Sequence, residues 1–206
     1  YVHPNFQLGA NMAKAPKINI RGIAKYPHLN VADTKFVDVG EYKTGVMVGR
    51  EQAKPIMEQL ANLYKEHTGK ALDPEDTNLW KYDKNDLGEE DQNTIVFAVK
   101  AKNVLRRDGE LWDRKPVQYD SKKNRIDVRI GGGSEIVVAA EVYSWVAGAK
   151  KGLTLQPTAV QVINHVSPSE GGSDFAEEDG FVGETVKASA PVEAPSSVEG
   201  DDPFDF

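Results

Sequence analysis

Between Ile130 and His165 the chain holds two long runs of β-forming residues separated by a few small ones, and this pair restricts the fold more than any other feature. Ile130-Gly131-Gly132-Gly133-Ser134 is a tight turn poor in side chains. It leads into Glu135 to Val146, where Ile136, Val138, Ala140 and Val142 share one alternating face and Val137, Ala139, Glu141, Tyr143 and Trp145 share the other. Successive side chains of a strand point to opposite sides, so the first set is the core face and the two aromatics project together from the second. A core supplied by the first face leaves those rings free for other work. After Ala147 to Gly152, which carries Lys150 and Lys151, the run from Leu153 to Val166 returns as the second arm of a hairpin with two lysines at its tip.

Charge is distributed unevenly. Ser169 to Phe206 contains 11 Asp/Glu against the single Lys187, a local net charge of −10, so the overall −7 conceals a body of +3. A basic body with an acidic tail suits a protein that handles polyanions, although such a tail also serves as a solubilising extension. No apolar run approaches the roughly 20 residues of a membrane span, and no signal-peptide pattern opens the chain, so a cytosolic type of protein without membrane contact is expected. Cysteine is absent. That excludes a disulfide framework and a thiolate nucleophile, and the scattered His28, His67 and His165 lack ligand spacing, so neither a metal nor a cofactor is expected. No catalytic acid pair and no Ser/His/Asp arrangement stands out, and an enzyme is not expected.

Residues 1–11 show no periodicity and precede Met12-Ala13-Lys14, which has the character of a natural start; they are set apart as a foreign extension. Ile18, Ile20 and Ile23 predict a first strand that Tyr26-Pro27 leaves, followed by a polar, turn-rich Val31 to Gly40. Glu41 to Val48 alternates Tyr42, Thr44, Val46 and Val48 against Lys43 and Met47, a second strand ending at Gly49. Arg50 to His67 places Ile56, Met57, Leu60, Leu63 and Tyr64 on one helical stripe, with Pro55 in its first turn and Gly69 as its stop. Leu72 to Asn93, with Trp80 and Tyr82, is expected to be a long surface loop. Thr94 to Leu105 is a third strand with Ile95, Phe97 and Val99 inward and Val96, Lys100 and Lys102 outward. Arg106-Arg107-Asp108-Gly109 is a hairpin turn, from which Glu110 to Gln118 returns carrying Trp112, Arg114 and Lys115. Lys122-Lys123-Asn124-Arg125 is a further basic turn. A solvated loop face is the plain reading of so many cations, but Trp112 and Tyr119 lie among them, and aromatics interleaved with basic residues suit a platform for unpaired bases.

About five strands and one helix in some 150 residues predict a mainly β chain. The expected architecture is an OB-fold five-stranded barrel over 12–168, with one inserted amphipathic helix and a flexible, disordered acidic C-terminal tail over 169–206.

The glycine run Ile130 to Ser134, Tyr143-Ser144-Trp145, the small-residue turn with Gly148 and Ala149, Leu153-Thr154-Leu155, and an acidic tail with Asp179-Gly180-Phe181-Val182 that ends in Asp205-Phe206 together resemble the single-stranded DNA-binding proteins of T7-like bacteriophages. The resemblance runs from about Met12 over nearly the whole chain. It implies an OB-fold that binds single-stranded DNA without strong sequence preference in DNA replication, recombination and repair, in the cytoplasm of the infected bacterial host. It also implies a protein that is frequently a homodimer, with an acidic tail that contacts the phage DNA polymerase and helicase-primase. The family's Tyr-x-Trp corresponds to Tyr143 and Trp145, its glycine turn to Gly131 to Gly133 and its terminal aromatic to Phe206. This chain departs from the family in a less densely acidic tail, rich in Ala, Pro and Ser from Ala188 to Ser197, and in Pro157, which predicts an edge or bulge in the last strand.

On this reading Tyr143, Trp145 and Trp112 stack on bases, while Lys100, Lys102, Arg106, Arg107, Lys122, Lys123, Lys150 and Lys151 line the backbone path. Asp201, Asp202, Phe204, Asp205 and Phe206 form the partner-binding end of the tail, which competes with DNA for the basic groove. Two alternatives stay open: Tyr143 and Trp145 as the core of a dimer interface, and the whole chain as a protein-protein adaptor with incidental nucleic-acid binding. Gly131 to Gly133 lacks the spacing of a phosphate-cradling loop and is expected to be a plain turn.

Overall fold

The computed structural model describes residues 15–168 apart from 76, 85 and 86; residues 1–11, expected to be an extension, and the acidic tail over 169–206 lie outside the described residues. Strands β1 (Lys17–Asp33) and β2 (Glu41–Gly49) pair antiparallel, and β2 runs directly into α1 (Arg50–Thr68). The chain returns in β3 (Trp80–Lys84) and β4 (Glu90–Lys102), passes a small hairpin of β5 (Val104–Leu105) and β6 (Leu111–Trp112), and continues through β7 (Val117–Tyr119) and β8 (Arg125–Ile126). The hairpin of β9 (Glu135–Ala147) and β10 (Lys150–Asn164) completes the body.

β4, β2, β1, β9 and β10 follow one another in the sheet, and β10 also meets β4, so these five strands close on themselves. The closing contact is parallel, with Leu155 opposite Val99, and every other pairing in the ring is antiparallel. A mainly β, five-stranded Greek-key barrel of this order is the OB-like arrangement. Alternation within each strand turns Ile18, Ile20, Val46, Phe97, Val99, Ile136, Val138, Ala140 and Leu155 inward as its core. α1 covers one end of the barrel with Ala53 and Leu60 buried and Ile56, Met57, Leu63 and Tyr64 packed against the core. Gly69, with φ of 74°, ends the helix and donates its N–H to the Lys65 carbonyl.

Five expectations need correcting. β1 does not stop at Tyr26-Pro27: its pairing with β2 skips from Lys25 opposite Gly45 to His28 opposite Lys43 and continues to Asp33, because a bulge absorbs the proline. Leu72 to Asn93 is not all loop, since β3 pairs with β4 and buries Trp80, whose ring meets Phe97 edge-on at 6.3 Å. Pro55 lies in the second turn of α1, not the first, because the helix begins at Arg50; its missing N–H leaves the Glu51 carbonyl without that intrahelical bond. The arm expected from Glu110 to Gln118 is broken into β6 and β7, and β4 ends at Lys102 instead of Leu105. Pro157 does mark an irregularity, between Pro157 and Ala159 in the β9–β10 register.

The glycine run is a structural junction. Gly133, at φ of 87°, donates its N–H to the Ala24 carbonyl, Gly131 donates to the Val166 carbonyl, and the buried Ser134 hydroxyl donates to the Gly131 carbonyl and accepts from the Val166 N–H. It thereby ties β1, the start of β9 and the chain after β10 together. A Cβ on Gly131 would lie 2.6 to 2.8 Å from backbone atoms of Val166, Ser167 and Pro168, whereas one on Gly132 would meet nothing nearer than the Ala24 carbonyl at 4.0 Å. Gly131→Ala should therefore destabilise by about 1–3 kcal/mol or more, since the obstacle is backbone and cannot rotate away, while Gly132→Ala stays near neutral; urea melts of the two variants check this.

Candidate nucleic-acid interface

The register that turns Val99 and Ala101 inward turns Lys100 and Lys102 outward, and on β2 it places Lys43 opposite Lys100 and Glu41 opposite Lys102 on the same outer face. On the far side of the β4–β10 contact, Thr154 and Gln156 face outward from β10, with Tyr143 of β9 opposite Thr154. These side chains and the β5–β6 hairpin enclose a groove of about 950 Å³ lined by Lys100, Lys102, Leu105, Trp112, Arg114, Tyr143, Thr154 and Gln156, with Val39 of the β1–β2 loop at its rim.

The hairpin that forms one wall is held by turn chemistry. Gly109 has φ of 85°, and Arg106 donates its N–H to the Glu110 carbonyl at 2.8 Å, as the Asp-Gly step predicts. At its base the buried Asn103 donates to the Val39 carbonyl at 3.0 Å and accepts the Arg114 N–H at 2.8 Å. The Arg114 guanidinium donates to the Gln156 side chain, which bridges the hairpin to the barrel wall. Trp112 is half exposed, and the guanidinium carbons of Arg106 and Arg114 lie 5.7 and 5.3 Å from its ring centroid. Cations at that distance are attracted to the indole face and keep the ring in a positive environment.

Among the described residues Lys100 and Lys102 have no carboxylate within 4 Å, and Glu41 is the one acid that lines the groove. Several other cations of the body are paired, Lys43 with Asp33 at 2.6 Å, Lys115 with Asp127 at 2.7 Å, and Lys25 with Asp83, whereas Lys81, Lys122, Lys123, Lys150 and Lys151 have no such pair among the described residues. The hydrogen bond from Lys43, then the Lys35 N–H, holds the Asp33 carboxyl below its usual range.

The sequence-predicted residues divide by place. Lys100, Lys102, Trp112 and Tyr143 meet in the groove, and Arg106 adjoins it through Trp112. Arg107 lies in the exposed hairpin turn. Trp145, two residues beyond Tyr143 on the same face, is half buried; its indole lies over Gly152, where a Cβ would strike the Cζ2, Cε2 and Nε1 atoms, and its carbonyl contacts His67 Nε2 at 3.2 Å. Lys150 and Lys151 follow the two-residue turn Gly148-Ala149 and begin β10 beside it. Lys122 and Lys123 lie elsewhere: their turn is held by Gln161, which donates to the Asp120 and Ser121 carbonyls at 3.1 Å. Seven residues of strand separate Gln161 from Thr154 in the groove, roughly 23 Å. The tail residues Asp201, Asp202, Phe204, Asp205 and Phe206 lie outside the described residues. Arg114, Gln156 and Thr154 also line the groove and were missed by sequence reasoning; for Thr154 and Gln156 the signal was their outward place in the alternation of β10.

Tyr42 anchors this end of the barrel. Burial, and then a hydrogen bond to the Asp113 carboxylate next to Trp112, push its phenol up to about 12. The unfolded phenol ionises near 10, so the contribution is complete below pH 10 and is lost as pH rises through about 12. The denaturation midpoint should therefore fall between about pH 10 and 12 more steeply in the wild type than in Tyr42→Phe, which urea titrations across that window would measure.

No protein-family model matches this sequence, and no curated protein matches it. Solved structures do. The crystal structure of gp2.5, a single-stranded DNA-binding protein encoded by bacteriophage T7, superposes with a TM-score of 0.56 at 20% identity, covering 82% of this chain and 100% of that one. The single-stranded DNA-binding protein of bacteriophage Enc34 matches as a C-terminal truncation, with a TM-score of 0.55, 13% identity, and coverage of 74% of this chain and 88% of that one. Its complex with single-stranded DNA matches with a TM-score of 0.55 at 15% identity over the same shares. The chain thus has the fold of bacteriophage single-stranded DNA-binding proteins.

Proposed function

We propose that this protein binds single-stranded DNA without strong sequence preference and is not an enzyme. The observation that carries the reading is the groove in which Trp112 and Tyr143 stand beside Lys100, Lys102 and Arg114. Aromatic faces accept any base, and cations not engaged in an ion pair favour a phosphate backbone over a neutral peptide. The position supports it in part, since the groove, which lies over the third, fourth and fifth barrel strands, is bordered by Val39 of the loop joining the first two, one of the loops by which OB folds take oligonucleotides. One protein of the same fold, that of bacteriophage Enc34, forms a complex with single-stranded DNA.

The wider role proposed is in phage DNA replication, recombination and repair, within the cytoplasm of the infected host. In that role Ser169 to Phe206, with its net −10, docks a DNA polymerase and a helicase-primase through its final aromatics and competes with DNA for the groove. A homodimer belongs to the same proposal. The adaptor reading has one observation in its favour, the exposed Val104, Leu105, Leu111 and Trp112 of the small hairpin.

Titration of labelled oligo-dT against salt separates the two. Single-stranded DNA binding predicts that log K falls linearly with log salt by about 0.7 for each phosphate contacted, and the adaptor predicts negligible retention at any salt. Trp112→Ala or Tyr143→Ala should each weaken binding by about 1–3 kcal/mol without unfolding the barrel. Replacing Lys100 and Lys102 together by Gln should weaken binding to all sequences alike and flatten the salt slope; an unchanged slope would remove them from the backbone path. Deleting 169–206 should tighten DNA binding most at low salt and abolish binding to a replicative polymerase. Unaltered DNA affinity with undiminished polymerase binding would sink the tail's proposed role.

A further inference from the structure

Lys100 lines a second depression as well as the groove. This one, of about 490 Å³, continues across the outer face of β2 and β4 toward the bulge in β1. Its floor is small and uncharged, with Gly45 opposite Ala98, and a Cβ on Gly45 would lie 2.8 Å from Val96 Cγ1, so only glycine keeps the floor this low. Its walls carry Lys25, Lys43, Lys81, Lys84 and Lys100; Lys25 pairs with Asp83, Lys43 with Asp33 and Lys84 with Glu90, which leaves Lys81 and Lys100 unpaired among the described residues.

Tyr26 closes the far end. It is 78% exposed and holds φ of 49°, a left-handed conformation that an aromatic residue rarely adopts and that costs energy without burying the ring. The Lys25 ammonium lies 5.7 Å from its ring centroid. An exposed ring held up by a strained bulge at the rim of a cationic trough with a flat, narrow floor has the chemistry of a nucleotide subsite.

We propose that Tyr26 is a second stacking platform for an unpaired base, at the end of a strand path that leaves the Trp112–Tyr143 groove at Lys100 and crosses β4 and β2 over Gly45 and Ala98. The proposal rests on the reading of the groove as a single-stranded DNA site. Tyr26 on β1 and Tyr143 on β9 are separated by β2, β4 and β10 around the barrel, and at about 4.8 Å per strand this is a path of roughly 20 Å. That length falls within the roughly 4–16 nucleotides an OB fold accommodates. The ammonium groups of Lys81 and Lys100 would neutralise phosphates on the way, while the floor leaves room for a base between them.

The test uses the full-length chain and labelled oligo-dT of about 16 nucleotides. Tyr26→Gly and Tyr26→Asn both tolerate the left-handed backbone, so the fold should be kept or stabilised, and both remove the ring. Each is expected to lose about 5- to 100-fold in affinity at fixed salt with an unchanged salt slope, while Tyr26→Phe binds like the wild type. Wild-type affinity in Tyr26→Gly and Tyr26→Asn, in a series where Trp112→Ala is weakened, would overturn the role of Tyr26 and leave the groove standing. A wild-type protein that does not retain oligo-dT at low salt would overturn both.

Discussion

Closure of the barrel is the constraint on which the rest of this structure depends. Once Leu155 of β10 lies opposite Val99 of β4, the two ends of a twisted sheet are joined, and every strand between them has a fixed inner and outer face. The inner face is filled by Ile20, Val46, Phe97, Ile136, Val138 and Leu155. A slip of one residue in any pairing would exchange these with their outward neighbours, so burying the apolar set also specifies the register. The groove follows from that register: Lys100, Lys102, Tyr143, Thr154 and Gln156 are outward because Val99, Ala101, Val142, Leu153 and Leu155 are inward.

Polar contacts then convert a barrel surface into a walled site. Asn103 is buried with both ends of its amide used, toward Val39 and Arg114, so the β1–β2 loop and the small hairpin are fixed to the same point of the barrel. Tyr42 holds Asp113 from within and Arg114 reaches Gln156 from without. Replacing one partner of such a pair leaves a buried donor or acceptor unsatisfied, which costs more than the bond contributes. The hairpin's short strands bury little apolar surface of their own, so these contacts set where Trp112 stands.

What could be read from the chain was what local physics determines. Strict alternation located β2, β4 and β9 to within a few residues, the 3.6-residue stripe located α1, and the Asp108-Gly109 step located a hairpin turn, because each is decided by neighbours in sequence. β3 was hidden, since Trp80 and Tyr82 stand among acidic and turn-forming residues and the strand exists because Trp80 packs on Phe97 and pairs with β4. The second half of β1 was hidden by Pro27, whose cost is absorbed by a bulge that only pairing with β2 makes evident. The site was legible in its residue types and less so in its membership. Lys122 and Lys123 have the same local character as Lys100 and Lys102, and their separation from the groove arises from where β7 attaches to β10, a long-range fact.

The tryptophans illustrate the same limit at the scale of a single ring. Trp112 lies between Arg106 and Arg114 in sequence and Trp145 lies five residues before Lys150, and both are on faces the core does not use. Trp145 stands on a long barrel strand opposite Gly152, and with no side chain there the indole settles over the backbone and is half buried. Trp112 stands on a two-residue strand of a hairpin lifted from the barrel, with two guanidiniums beside it and half its surface open. Stacking on a base demands an accessible π-face and a cationic surrounding that draws in the phosphates on either side. Trp112 meets both demands, whereas the Trp145 indole has one side against Gly152. On the proposed reading, Trp112 is therefore the more accessible of the two tryptophans for a base, while Tyr143 and Trp145 share the same partly buried face of β9.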